Sequence, residues 1–236
     1  MTLRVNHSPT MPDYDQEKRL AAAYSLRFIE DGMAVGLGSG STATHFIASL
    51  GERVHSGLRI RAIPTSETSS ELARHAGIPL TDFGEVRRLD VTVDGADEID
   101  PQLNLIKGGG GALLREKIVA SATERLVIIA DSRKRVATLG AFPLPVEVVP
   151  FACELVRRRI RRMGADVEVR SLESGQPFVT VEGNYILDCG FGRIDDPEDL
   201  ARRLDGTPGI IEHGLFLQMA STIVIAREGD VEVEDR

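Results

Sequence analysis

Residues Arg125-Leu126-Val127-Ile128-Ile129-Ala130-Asp131 make an apolar run with no polar alternation. A strand of that kind has both faces buried, as in parallel sheets covered by helices on each side. The segments before it alternate in the same spirit. A helix from about Asp15 to Glu30 leads into a strand at Met33 to Leu37. Leu58 to Ile63 then runs into a Ser/Thr-rich turn and a helix near Ser69 to Ala76, and Leu89 to Asp94 is a β-branched strand followed by a helix from Ala112 to Thr123. Such alternation predicts an α/β fold, a Rossmann-like open parallel sheet with helices on both faces. From about Phe142 the rhythm changes. Val146 to Val149 reads as a strand, Phe151 to Met163 as a helix and Asp166 to Arg170 as a strand, with a hairpin of Phe178 to Glu182 and Tyr185 to Cys189 around Gly183-Asn184 and a helix at Pro197 to Leu204. This β-α-β-β-α-β order predicts a smaller ferredoxin-like α+β lid over residues 142–213. The main domain would take 15–141 and 214–228, leaving 1–14 as a loose extension and 229–236 as an acidic tail.

Two turns carry residues that the framework itself does not need. The stretch Lys107-Gly108-Gly109-Gly110-Gly111-Ala112-Leu113-Leu114-Arg115-Glu116-Lys117 sets a lysine and four glycines ahead of a helix. Backbone without Cβ atoms can take φ > 0 and bring its N–H groups close to a ligand. Leu114, Ile118 and Ala122 recur at helical spacing and are expected to face the core, while Leu113, Glu116 and Ala120 share another face. Because Cα–Cβ bonds tilt toward the helix N-terminus, the Glu116 carboxylate leans back toward the glycine turn. Taken alone, this is a glycine turn followed by an ordinary solvated helix glutamate. Its neighbours change that. Leu89 to Asp100 ends a strand with Asp94 and Asp97 three residues apart, where ligands sit in open α/β sheets, although such aspartates also serve as turn and cap residues. Upstream, Gly36-Leu37-Gly38-Ser39-Gly40-Ser41-Thr42 joins a strand to a helix and offers amides, hydroxyls and a positive helix end to a phosphate. It is not a dinucleotide fingerprint, since the last glycine of G-x-G-x-x-G would fall at Ser41.

In this order and spacing the three segments resemble the type A family of ribose-5-phosphate isomerases, as do Ala130-Asp131-Ser132-Arg133-Lys134 and Phe142-Pro143-Leu144-Pro145-Val146-Glu147-Val148. The resemblance runs from about Glu17 to Arg227. It implies an aldose–ketose isomerase of the non-oxidative pentose phosphate pathway, interconverting D-ribose 5-phosphate and D-ribulose 5-phosphate through an enediolate, with no cofactor and no metal. It implies Glu116 as the proton-transferring base and Lys107 beside the developing oxyanion. Asp94 and Asp97 would accept sugar hydroxyls, help open the furanose or relay the hydroxyl proton. The Ser39, Gly40, Ser41 and Thr42 turn would hold the phosphate, with Lys134 and Lys18 as supporting cations; Gly95, Ala96, Gly108, Gly109 and Gly110 would bind the substrate, the N–H groups of the glycine turn joining Lys107 at the oxyanion. Lys18 also reads as a solvated lysine of an amphipathic helix. Ser39 stands where the family often has threonine, and keeps the hydroxyl. Glu116 is under opposed pressures: the helix N-terminus and Lys107 favour the charged form, burial and the aspartates the neutral one.

Charge and composition narrow the classes. A net charge of −8 argues against a nucleic-acid or anionic-membrane footprint, so an anionic substrate must be met by local cations. The arginines of Arg157 to Arg162 read as the solvated face of a helix whose Val156, Ile160 and Met163 turn inward. Cys153 and Cys189 read as core thiols of a reducing compartment, and the five histidines show no metal-ligand spacing. No apolar run is long enough to span a bilayer and the sequence shows no charged-then-apolar leader, so a cytoplasmic location is expected; a homodimer or homotetramer is the expected assembly. The Thr65 to Ser70 turn is either a helix start capped by Ser66 or Thr68 or part of the cleft. The rivals are a non-catalytic sugar-phosphate sensor, which has no chemical need for Glu116 or Lys107, and a related sugar-phosphate isomerase or deaminase.

Overall fold

A computed structural model describes residues 13–236. In chain order the elements are α1 (Tyr14–Ser25), β1 (Ala34–Leu37), α2 (Ser41–His55), β2 (Arg61–Pro64), α3 (Glu67–His75), β3 (Leu89–Asp94), β4 (Glu98–Ile99), β5 (Leu105–Ile106), α4 (Leu113–Ser121), β6 (Thr123–Asp131) and β7 (Leu144–Val148). They continue with α5 (Cys153–Arg162), β8 (Asp166–Val169), β9 (Tyr185–Gly190), α6 (Pro197–Asp205), β10 (Ile210–His213), β11 (Leu215–Phe216), β12 (Thr222–Arg227) and β13 (Asp230–Asp235). Most of the expected N-terminal extension lies outside the described residues. Asp13 and Tyr14, assigned to it, instead begin α1: the Asp13 carboxylate accepts the Asp15 and Gln16 N–H groups at 3.1 Å.

The main sheet runs β13-β12-β6-β3-β1-β2, parallel throughout except for β13. Alternate residues go to opposite faces, so Val35, Leu37, Val91, Val93, Val127 and Ile129 join one core with Ala21, Phe46, Ile47 and Leu50 of α1 and α2. Leu126, Ile128 and Ala130 face the other way, onto Ala120 of α4 and Phe216 of a small sheet β11-β5-β4. Both faces of β6 are therefore covered, which is why its sequence shows no alternation. Adjacent β6, β3 and β1 bring three carboxyl ends side by side, and β1 is where the strand order changes direction, with β2 on one side and β3 on the other.

Residues 229–236, expected as a tail, hold the edge strand β13, paired antiparallel to β12. Val231 packs on the core while Glu232 and Glu234 are solvated or paired, and a charged edge discourages further strand addition. The smaller unit is an antiparallel sheet β10-β7-β9-β8 with α5 and α6 packed on it through Val156, Ile160, Leu200 and Leu204. Its hairpin differs from expectation. Phe178 to Glu182 forms no strand, only a bridge from Val179 to Tyr185, because β9 is already paired on both sides by β7 and β8. Cys189 is buried, whereas Cys153 is only partly so.

The expected core face of α4 is also corrected. Leu113, Glu116, Val119 and Ala120 are buried, while Ile118 is 47% exposed. α4 packs between the main sheet and strands β7 and β10, so the face carrying Glu116 is the one turned inward. No helix among the described residues is long and apolar enough to cross a membrane.

Candidate active site

The site lies beyond the carboxyl ends of β1, β3 and β6. The chain leaves β1 through Gly38, whose N–H donates to Val93 O of β3 at 2.9 Å. A Cβ on Gly38 would collide with Asp94, so this close approach of the chain leaving β1 to the end of β3 requires glycine. α2 then starts at Ser41 with no side chain among the described residues capping it, which leaves its first N–H groups and positive end open to a ligand. Hydroxyls brace the turn from behind: Ser39 Oγ lies 2.7 Å from Thr65 Oγ1, and Ser69 Oγ donates to Gly38 O at 2.6 Å. Ser66 caps α3 by accepting the Ser69 N–H at 3.1 Å. The Thr65 to Ser70 segment thus starts a helix and also supports the turn. Its hydroxyl-rich composition was the only signal for that second role.

Asp94 ends β3 and is fully engaged. Its Oδ1 accepts the Ser39 N–H at 3.0 Å and the Gly95 N–H at 2.7 Å, and its Oδ2 pairs with Lys107 Nζ at 3.0 Å. Lys107 follows β5, with its N–H on Gly214 O at 2.9 Å and its ammonium also donating to Gly95 O at 2.7 Å. Asp97 precedes β4, which pairs with β5, so the small sheet sets Asp97 and Lys107 beside each other. Asp97 Oδ2 accepts the Gly109 N–H at 2.8 Å, and a Cβ on Gly109 would press within 2.7 Å of the same carboxylate. Glu116, one turn into α4, completes the group: its Oε2 is 3.4 Å from Lys107 Nζ, an ion contact without hydrogen-bond geometry. That oxygen is buried and has no hydrogen-bond partner among the described residues.

Charge in so closed a place shifts proton affinities. The Lys107 and Glu116 side chains are 4% and 6% exposed. Burial pushes the Glu116 carboxyl up, the Lys107 charge pulls it back, and Asp94 and Asp97 push it up again, leaving it at about 7. Burial disfavours the Lys107 ammonium, yet the Asp94 and Glu116 carboxylates outweigh it and hold Lys107 charged well above the usual lysine range. A group ionising near neutrality can both take and return a proton at the same pH.

An open cleft of about 470 Å³ gathers the candidates. Ser39, Gly40, Ser41, Thr42 and Lys134 line it together with Gly95, Ala96, Asp97, Lys107, Gly108, Gly109, Gly110 and Glu116. Asp94 stands just behind this wall. Lys18 does not line the cleft; it lies half-buried on α1. Its neighbour Glu17, unremarked in the sequence, is buried and accepts the N–H and hydroxyl of Ser132 at 2.9 and 2.8 Å, steadying the turn that carries Lys134. Among the described residues, Asp205, Glu212 and His213 are close enough to share a metal ion, away from the cleft. Their atoms are already engaged: Lys117 Nζ sits 2.6 Å from Glu212 Oε1, and His213 accepts the Leu215 N–H at Nδ1, so its Nε2–H donates to Asp205 at 3.1 Å.

The profile of the family described as Ribose 5-phosphate isomerase A (phosphoriboisomerase A) matches residues 61–230. The chain belongs to the ribose-5-phosphate isomerase A family. It is 51% identical to the ribose-5-phosphate isomerase A of Bradyrhizobium diazoefficiens, over 94% of this chain and 96% of that one. With the enzyme of the same name from Sphingopyxis alaskensis it shares 52% identity, over 96% and 99% of the two chains. A solved D-ribose-5-phosphate isomerase in complex with phospho-erythronic acid superposes with a TM-score of 0.92 at 39% identity, covering 95% of this chain and all of that one. The α/β sheet with its smaller antiparallel unit is thus the architecture of a family member.

Proposed function

We propose that this protein interconverts D-ribose 5-phosphate and D-ribulose 5-phosphate through an enediolate, the aldose–ketose step of the non-oxidative pentose phosphate pathway. One observation carries the reading: a buried Glu116, poised near neutrality beside Lys107 and with an oxygen that has no hydrogen-bond partner among the described residues, lines a cleft that also holds the N-terminus of α2, which no side chain among the described residues caps. The phosphate would dock on the Ser39 to Thr42 turn, with Lys134 as its cation. Lys18, outside the cleft wall, is the weaker second cation. Held there, the open-chain sugar reaches toward Glu116. The carboxylate takes the C2 proton while the C1 oxygen gains negative charge beside Lys107; the C2 hydroxyl proton then passes to the C1 oxygen, and as the C2 carbonyl forms the protonated Glu116 carboxyl delivers its proton to C1, giving the ketose and restoring the carboxylate.

The aspartates divide their work by position. Asp94 spends both oxygens on Ser39, Gly95 and Lys107, so we assign it the placing of Lys107 and of the phosphate turn. Asp97 lines the cleft with Oδ1 taking no hydrogen bond from the described residues, which suits it to a sugar hydroxyl, ring opening or relay of the hydroxyl proton. A homodimer or homotetramer in the cytoplasm belongs to the same reading. Phe151, fully exposed, and Leu155 one turn on, 48% exposed, support association. The purified protein, without added metal or nicotinamide, is expected to turn ribose 5-phosphate into its ketose and to sediment as a dimer or tetramer. Absence of turnover in folded protein refutes the enzyme, and a monomer at working concentration refutes the assembly.

A further inference from the structure

Gly108 to Gly111 form a β-turn, closed by the Gly111 N–H on Gly108 O at 3.0 Å. The peptide between its central residues, Gly109 and Gly110, is the one that turns over between type I and type II geometries, sending its carbonyl to one side or the other. Type II needs φ > 0 at the third residue, which glycine adopts as readily as φ < 0. Two central glycines therefore leave both orientations open. Neither Gly109 nor Gly110 has a positive φ here, so one orientation has been selected.

The selecting group comes from the smaller unit. Arg170, just past β8, donates through Nη1 to Gly108 O at 2.9 Å and Gly109 O at 3.1 Å. Asp188 of β9 clamps the same guanidinium, accepting Nε at 2.9 Å and Nη2 at 2.5 Å. A planar trans peptide points its N–H opposite to its carbonyl. With Gly108 O on Arg170, the Gly109 N–H faces the other way, and it is found on Asp97. With Gly109 O on Arg170, the Gly110 N–H must also face away from the smaller unit. It has no acceptor among the described residues, and Gly110 lines the cleft.

We propose that Arg170, clamped by Asp188, is a positioning residue that fixes the Gly109–Gly110 peptide so that the Gly110 N–H acts with Lys107 as a donor to the enediolate oxygen. This rests on the isomerase reading above. It gives the smaller unit a part in the chemistry even though, among the described residues, those lining the cleft all belong to 39–134. Without the clamp the peptide samples both orientations, and the donor is lost from part of the population at the moment charge develops.

The test uses Arg170→Ala, Arg170→Lys and Asp188→Asn in the full chain. Ribose 5-phosphate turnover is measured with inhibition by phospho-erythronic acid, whose carboxylate stands for the enediolate, and by inorganic phosphate, which reports the α2 end alone. Wild-type turnover comes first; its absence would defeat the isomerase reading, whereas the inference on Arg170 is judged on the variants of an active enzyme. Removing a whole oxyanion donor lowers kcat on the order of 10²- to 10³-fold, so a disoriented one should lower it on the order of 10- to 100-fold in both Arg170 variants, with a smaller loss in Asp188→Asn. Phospho-erythronic acid should weaken by a comparable factor while inorganic phosphate stays within about twofold, and added guanidinium ion should restore part of the Arg170→Ala activity. If Arg170→Ala does not fold, Arg170→Lys and Asp188→Asn decide the matter. Unchanged kcat overturns the proposal, and so does an equal weakening of phosphate and phospho-erythronic acid, which would mark a general loosening of the fold.

Discussion

The two turns of the cleft are built from glycine to opposite ends. At the phosphate end, Gly38 lets the chain leave β1 close against Asp94, and what braces the turn, Thr65, Ser69 and Asp94, comes from β3 and from the turn and helix after β2. At the chemical end, four glycines leave the backbone undecided, and its orientation depends on Asp97 from one side and Arg170 from a separate unit on the other. The first turn is a preformed anion cradle whose binding is shared by ground and transition states. The second concentrates two carboxylates and an ammonium in a nearly closed space, where each group sets the charge of the next.

If that contrast is right, substitutions at the two ends must fail differently. The largest effect is expected for Glu116→Gln: turnover falls on the order of 10²- to 10⁴-fold while sugar-phosphate affinity is kept. Near-normal turnover in that variant would remove Glu116 as the base. The same change also probes strain. A carboxyl whose folded pKa is raised above its unfolded value favours the fold at low pH and loses that contribution as pH rises from about 4.5 through about 7. Glu116→Gln should therefore melt at or above wild type at pH 8, with the gain gone at pH 5; a lower melting temperature at pH 8 would mean that the Lys107 attraction outweighs burial. A smaller effect is expected at the other end. Ser41→Ala with Thr42→Ala should raise KM roughly tenfold with kcat within about threefold, because uniform binding is what is lost. A pure kcat loss would erase the distinction between the two ends.

The same division decides what could be read from the amino-acid order. The parallel sheet was legible because β6 carries its burial in six consecutive residues, Leu126 to Asp131, and the phosphate turn because its bracing is local to strand ends. Lys107, Glu116 and Asp97 were legible as a spacing. The buried face of α4 was not: Leu114, Ile118 and Ala122 have the better apolar periodicity, and only contact with β7 and β10 turns Glu116 inward instead. Asp94 reads as one of a pair with Asp97, yet its oxygens are consumed by Ser39, Gly95 and Lys107, a fact of three-dimensional neighbours. Arg170 gave no signal, being one arginine among many, some 60 positions from the carbonyls it holds. Edge strand β13 looked like an acidic tail because its alternating valines are few and its exposed face is charged.

At the centre of this account is a Glu116 held half-ionised near neutrality by burial against Lys107 and the aspartates. Carbon-13 NMR of glutamate-labelled protein, with the Glu116 resonance assigned by its loss in Glu116→Gln, reads this directly. The expected result is a carboxyl that titrates at about 7 in the free protein, protonated at pH 6 and ionised at pH 8. A Glu116 already fully ionised at pH 5.5 would contradict it.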